Sequence, residues 1–238
     1  MTELRTVGIL AGMGPETTLT LMERVKTAVN AVSDQDHVPL LVDMNTQVPT
    51  RISAMIGADT DAEATDPGPI LVAMAKRMQE SGAEALAMPC NGAHKYAELI
   101  SSEVDIPLLD MVVLTSDAAC QAAGSGGKVG LLGSPALQQS GIFDAAIGAR
   151  GGTVVYPEDQ GVLLDAIREI KATGPTPSVR DKVVVASHNL LWQGAQVQLV
   201  ACTEFSRLKR AMDPGAFKID ALDVLVKEIV EFSRGIAA

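Results

Sequence analysis

Short segments that are apolar at nearly every position alternate along this chain with longer helix-like segments. Thr6 to Leu10, Pro39 to Asp43, Ala83 to Met88, Ile106 to Leu109, Val129 to Leu132, Thr153 to Tyr156 and Gln196 to Val200 read as strands, with Gln196 to Val200 the last clear one. A strand with one wet face alternates apolar and polar residues; strands lacking that alternation are buried on both faces. With helices between them they imply an α/β fold built on a parallel sheet covered on both sides. Helices are expected over Glu16 to about Val32, Pro69 to Ser81, Gln160 to Lys171, Ser178 to Gly194 and Asp220 to Arg234. Pro15 suits the first turn of the first helix, where a missing N–H costs nothing.

The two halves echo each other. Val7-Gly8-Ile9-Leu10-Ala11-Gly12 is matched by Val129-Gly130-Leu131-Leu132-Gly133-Ser134, and Ala85-Leu86-Ala87-Met88-Pro89-Cys90-Asn91 by Val197-Gln198-Leu199-Val200-Ala201-Cys202-Thr203. Each half reads strand, glycine turn, helix, further elements, then strand, cysteine and polar residue. Open α/β sheets bind ligands beyond the C-terminal ends of their strands. Cys90 and Cys202 are therefore expected at equivalent, chemically useful positions, facing one cleft between the halves. A single free cysteine is more often a small buried apolar residue; it is the matching that favours chemistry. Cys120, within Ser116-Asp117-Ala118-Ala119-Cys120-Gln121-Ala122-Ala123, reads as helix packing.

Composition removes several classes of function. The net charge of −10 lacks the basic footprint that nucleic-acid phosphates require, and one Trp, two Tyr and four Phe offer little for base stacking. Three cysteines cannot make a disulfide framework. No apolar run is long enough to span a bilayer. Met1-Thr2-Glu3-Leu4-Arg5-Thr6 has neither the basic region nor the apolar stretch of a signal peptide. A cytoplasmic protein with free thiols is expected, with no membrane and no nucleic-acid partner.

The residues around the two cysteines suggest acid–base work. Thr203 is a natural helix N-cap, and both thiols are expected beside backbone N–H groups at a helix start. That setting lowers a thiol pKa from its free value of about 8.5. A partly ionised thiol accepts a proton, and its neutral form donates one. Inverting a carbon centre needs a base on one face and an acid on the other, which two opposed thiols supply. Backbone N–H groups at Asn91, Gly92 and Thr203, with the side chains of Asn91 and Thr203, are candidates to hold a carboxylate and its carbanion. His37, His94 and His188 show no metal-ligand spacing with the cysteines, so no metal is expected. Gly12-Met13-Gly14-Pro15-Glu16-Thr17 lacks the third glycine of a dinucleotide loop. Gly124-Ser125-Gly126-Gly127-Lys128 precedes a strand and reads as a turn.

With these motifs the sequence resembles the aspartate/glutamate racemase superfamily nearly end to end, and most of all its aspartate racemase branch. Gly12-Met13-Gly14-Pro15 is like that branch's Gly-Met-Gly-Pro loop, and Gln47-Val48-Pro49-Thr50-Arg51 like its Ile-Pro-Asp-Arg segment. Met88-Pro89-Cys90-Asn91-Gly92-Ala93-His94 is like its Met-Pro-Cys-Asn-Thr-Ala-His, and Ala201-Cys202-Thr203-Glu204 like its Gly-Cys-Thr-Glu. The resemblance implies two similar α/β domains with mainly parallel four-stranded sheets, related by a pseudo-twofold, with the active site in the interdomain cleft. Residues 1–112 would carry Cys90, with the C-terminal helix 220–238 as a candidate addition, and residues 113–219 would carry Cys202. It implies cofactor-independent racemisation of a small amino acid or carboxylic acid, with Cys90 and Cys202 as acid and base, in a homodimer. Arg51 and Lys171 match basic residues associated with substrate carboxylates, Met13 matches a pocket-lining residue, and Glu204 matches the acidic residue of the aspartate branch. His94 reads as support for the loop. Gly92 replaces the usual Thr, which removes a hydroxyl and widens the pocket. Thr50 replaces the acidic residue usual before Arg51.

Two other functions fit the same residues. A decarboxylase or cis–trans isomerase of a small dicarboxylic acid would use the scaffold for related carbanion chemistry, but needs only one cysteine. A non-catalytic binding protein would need neither. Two intact cysteines favour racemisation.

Overall fold

A computed structural model describes residues 4–51 and 65–236. Residues 1–3, 52–64 and 237–238 of the expected domain spans lie outside the described residues. The chain divides into two compact units: the described parts of Met1–Met111 with Leu222–Ala238, and Val112–Ala221.

The first unit is built on four parallel strands, β1 (Val7–Ala11), β2 (Leu40–Met44), β3 (Ala85–Ala87) and β4 (Leu108–Leu109), in the order β2-β1-β3-β4. The second carries β5 (Lys128–Leu132), β6 (Thr153–Val155), β7 (Val197–Val200) and β8 (Lys218–Asp220), in the order β6-β5-β7-β8 and again parallel. Renumbered within its unit, each sheet has the same strand order, so the sequence echo is an echo of topology. β1 is wholly buried, as its unbroken apolar run requires.

The repeated Val-Gly pair has a packing reason. A Cβ on Gly8 would lie 3.0 Å from both Ala83 Cβ and Met78 Cβ, and one on Gly130 would lie 2.9 Å from Ala195 Cβ and 3.0 Å from Leu190 Cδ1. In each unit the glycine lets one helix settle directly on a central strand. Those helices are Gly68–Glu80, which buries Leu71, Met74, Ala75 and Met78, and Pro177–Trp192, which buries Val179, Val183, Ala186 and Leu190. The spacings are those of one helix face. Thr176 caps the second by accepting from Val179 N, with Pro177 in its first turn.

A buried polar contact sits on the central strand β7 of the second unit. Gln198 sits on β7 with no exposed surface. Its amide nitrogen donates to the Ser187 carbonyl at 2.7 Å, and its amide oxygen accepts from Ser187 Oγ at 2.6 Å. Both ends of a buried amide are thus satisfied from one neighbouring residue.

The C-terminal helix, Ala221–Ser233, is tied to the start of the chain. Arg5 Nε donates to the Phe232 carbonyl at 2.8 Å and its guanidinium stacks 3.7 Å above the Phe232 ring. Arg24 Nη1 pairs with Asp223 Oδ1 at 2.6 Å.

The structure corrects three details of the sequence reading. Gln196–Val200 is not the last strand, because Lys218–Asp220 adds β8 beside β7. The first helix is Pro15–Ala28 and stops short of Val32, with Asn30 at a positive φ of 50°. Thr203 is the first residue of a 3₁₀ segment, Thr203–Ala211, and Cys202 rather than Thr203 takes the cap position.

Candidate active site

In the first unit the candidate residues gather at the C-terminal edge of β1 and β3. The chain leaves β1 through Gly12, whose φ is +88°. A Cβ at Gly12 would lie 2.4 Å from the carbonyl carbon of Asn45, so only glycine fits this turn. Gly12 N donates to Thr18 Oγ1 at 3.2 Å, which ties the turn to helix Pro15–Ala28. The turn places Met13, 5% exposed, on an apolar cluster against which Cys90 also packs. Arg51 clamps the turn: Nη2 donates to the Met13 carbonyl at 2.9 Å and Nη1 to the Pro49 carbonyl at 3.0 Å. Its Nε is buried with no hydrogen-bond partner among the described residues.

β3 delivers Cys90 in extended backbone, φ −149° and ψ 102°, at the cap of a 3₁₀ segment, Asn91–Tyr96. Ala93 N donates back to the Cys90 carbonyl at 3.0 Å. His94 bridges this turn to the residue that opens helix Met111–Ala123. Met111 N donates to Nε2 at 3.0 Å, so Nε2 carries no proton; Nδ1–H therefore donates to the Cys90 carbonyl at 2.9 Å. Burial holds the His94 pKa below its ordinary value, against the opposing pull of Asp110 and of the Cys90 carbonyl, and the ring is neutral. Asn91, 3% exposed, has both its amide nitrogen and its amide oxygen buried without a partner among the described residues. A buried amide with nothing to bond is costly unless a ligand completes it.

In the second unit β7 delivers Cys202 in a similar extended backbone, φ −121° and ψ 118°, again capping a 3₁₀ segment. Phe205 N donates to the Cys202 carbonyl at 2.9 Å, the counterpart of the Ala93–Cys90 bond. Cys202 Sγ donates to Glu204 Oε2 at 3.0 Å, and Lys171 Nζ lies 3.2 Å from Glu204 Oε1. Burial and then the Glu204 charge push the Cys202 pKa well above the ordinary thiol value. Burial works against ionised Glu204 too, but Lys171 and the Cys202 hydrogen bond outweigh it and hold the carboxyl below its ordinary value.

This overturns the expectation of a lowered thiol pKa at Cys202. The element after Cys202 is a 3₁₀ segment with no side-chain cap bond, and the nearest full charge is the Glu204 carboxylate. A negative charge at hydrogen-bond distance favours the neutral thiol. Cys202 thus rests as a proton donor. Lys171, expected to meet a substrate carboxylate, holds Glu204. Thr203 is buried, and Gly92, next after Asn91 in the chain, is half-buried. Cys120 lies on helix Met111–Ala123 against the core of its unit, with Sγ 3.9 Å from the Ile147 carbonyl. The sequence reading missed Ser206 and Asp220, which meet in a buried hydrogen bond four residues after Cys202 and at the end of β8. The offset of Ser206 from Cys202, equal to that of His94 from Cys90, was the signal available for it.

Two parallel α/β units, each presenting a thiol where an inner strand gives way to a 3₁₀ turn, define a protein of paired cysteines with a buried carboxylate beside one of them. The chain belongs to the Asp/Glu/hydantoin racemase family, whose model matches residues 10–229. It is 25% identical over 232 residues to the broad specificity amino-acid racemase RacX of Bacillus subtilis (strain 168), covering 94% of this chain and 96% of that protein. Its fold is similar to that of the aspartate racemase of Picrophilus torridus, with a TM-score of 0.83 at 24% identity over 97% of this chain and 94% of that one. It is also similar to the glutamate racemase of Francisella tularensis solved with D-glutamate, with a TM-score of 0.68 at 13% identity over 98% of this chain and 83% of that one. Among the described residues no helix is long and apolar enough to cross a membrane.

Proposed function

We propose that this chain racemises an amino acid by two-base proton transfer at Cα, without a metal or organic cofactor, with Cys90 and Cys202 as opposed acid and base. The observation that carries this is the duplicated thiol turn. Two or three residues past an inner strand of each sheet stands a cysteine of extended backbone whose carbonyl accepts from the N–H three residues on. In one direction the Cys90 thiolate takes the Cα proton and the Cys202 thiol delivers its own to the opposite face. The bond to Cα that breaks is replaced by one to the other proton, and the two thiols exchange protonation states. Running the step from the other enantiomer restores them.

The Asn91 amide and the Arg51 Nε, both buried without a partner among the described residues, support a substrate carboxylate on the Cys90 side. Met13, Gly92 and Thr203 are read as lining the substrate, with Glu204 and Lys171 setting the protonation of Cys202. The substrate is aspartate or a broader range of amino acids; the missing hydroxyl at Gly92 and the broad specificity named for RacX favour breadth. The working form is taken to be a cytoplasmic homodimer, which light scattering of the purified protein checks.

The deciding experiment follows exchange of the α-proton with solvent deuterium across a panel of L- and D-amino acids, then the chirality of the product. Exchange with inversion on at least one amino acid is expected. Inert amino acids alongside a reactive malonate or maleate analogue would replace this reading with decarboxylation or cis–trans isomerisation.

A further inference from the structure

The fourth residue after each cysteine does the same thing in both units. His94 accepts from Met111 N, which opens the next helix one residue beyond Asp110, the residue that follows β4. Ser206 Oγ donates to Asp220 Oδ1 at 2.7 Å, and Asp220 ends β8 immediately before the C-terminal helix. β4 is the neighbour of β3, and β8 the neighbour of β7. In each unit the turn after the cysteine is therefore latched to the start of the helix beyond the adjacent outer strand. His94 is 6% exposed, Ser206 5% and Asp220 1%, so both latches are shielded from water. The chemistry differs, imidazole in one and hydroxyl with carboxylate in the other, while the anchor points agree to within one residue: Met111 opens its helix and Asp220 stands immediately before its own.

We propose that His94, and Ser206 with Asp220, are positioning residues, each fixing the height and direction of one thiol. The proposal rests on the reading of Cys90 and Cys202 as the reacting groups. A 3₁₀ turn has poorer hydrogen-bond geometry than an α-helix and is short. Without an external anchor each turn would open locally, and a thiol displaced by about 1 Å costs on the order of a hundredfold in rate. The backbone bonds from Ala93 and Phe205 close the turns, but neither reaches a neighbouring strand. The latches do.

The test reads the two thiols separately. Alkylation of intact protein by iodoacetamide, followed by peptide mass spectrometry, gives one rate for Cys90 and one for Cys202. His94→Phe, which removes both His94 hydrogen bonds, is expected to speed Cys90 by about tenfold or more and to leave Cys202 within about twofold. Ser206→Ala is expected to do the reverse. Asp220→Asn, which leaves Ser206 an amide oxygen to donate to, falls between Ser206→Ala and wild type. Should His94→Phe not fold, His94→Gln gives the same comparison. Equal acceleration of both thiols in either variant, or none, overturns the proposal, since a general loss of stability touches both units.

Turnover supplies the second readout. The equilibrium constant of a racemisation is unity, so kcat/KM must stay equal in the two directions whatever the mutation. The primary isotope effect on Cα-deuterated substrate need not. It should rise for the enantiomer whose proton the loosened thiol removes, and the two variants should raise it for opposite enantiomers. A protein that shows the alkylation pattern but no racemisation keeps the latches and loses the proposed function. Racemisation with no thiol-specific effect keeps the function and loses the latches.

Discussion

Cys202 donates its thiol proton to one oxygen of Glu204 across 3.0 Å, while Lys171 stands 3.2 Å from the other oxygen of the same carboxylate. The thiol is thereby held protonated and the carboxyl ionised, because the ammonium favours charge on Glu204 and Glu204 disfavours charge on Cys202. Replacing Glu204 by Gln removes the negative neighbour and leaves the Lys171 cation. The Cys202 titration, followed by thiolate absorbance, should then move down by about one pH unit or more. A Cys202 titration unmoved in Glu204→Gln would leave burial as its whole cause.

Lys171→Met tests the other end of the chain of contacts. A carboxyl held below its unfolded value adds stability above that value, and the addition is lost as pH falls through the folded value. The ordinary Glu value is 4.5. Wild type and Lys171→Met should therefore differ most at neutral pH and converge as the pH falls below the ordinary Glu value and through the lowered one. The gap should be about 1 kcal/mol, because Lys171 is half exposed and water screens the pair. Urea denaturation at several pH values measures it. A gap that persists at low pH would have another origin.

Cys90→Ala and Cys202→Ala should each abolish racemisation while leaving the fold intact, since each deletes one buried or half-buried sulfur. Either variant can retain one-sided exchange of the α-proton with solvent. Full turnover by one of them would rule out the two-base scheme.

Gly12→Ala should destabilise the chain by roughly 2–4 kcal/mol, because the new methyl meets the Asn45 backbone and the residue must hold a positive φ. The urea midpoint reports this. A change under about 1 kcal/mol would mean that the turn relaxes without cost.

Gly92→Thr should narrow the range of accepted amino acids by filling the space beside Cys90 and adding a hydroxyl. The measurement is relative kcat/KM across the same panel of substrates. Unchanged ratios would remove Gly92 from the specificity argument.

The parts of the molecule that were legible in the sequence are those fixed by local packing. Unbroken apolar runs announced the central strands, and the Val7-Gly8 and Val129-Gly130 segments showed as a repeat, though that their glycines admit a packed helix was seen only in the structure. β8 was not legible, because Lys218-Ile219-Asp220 is three residues long with a charge at each end and has no period to detect. Its Asp220 is tolerated inside because Ser206 folds back to meet it. The setting of Cys202 was hidden for a related reason. A Cys-Thr-Glu run shows that a carboxylate is near in sequence, but not that its side chain turns back onto the sulfur or that Lys171 closes the set.

The buried pair of Gln198 and Ser187 bears on how reliably the chain arrives at this state. β7 is otherwise apolar, and an apolar strand could slide by one residue and still find greasy neighbours. Such a slide would turn every side chain of the strand to its opposite face. It would also strand the Gln198 amide away from Ser187 at a cost of roughly 1–3 kcal/mol per unmet group. The Gln198–Ser187 pair thus penalises a slipped β7, and with it any register in which Cys202 would point the other way.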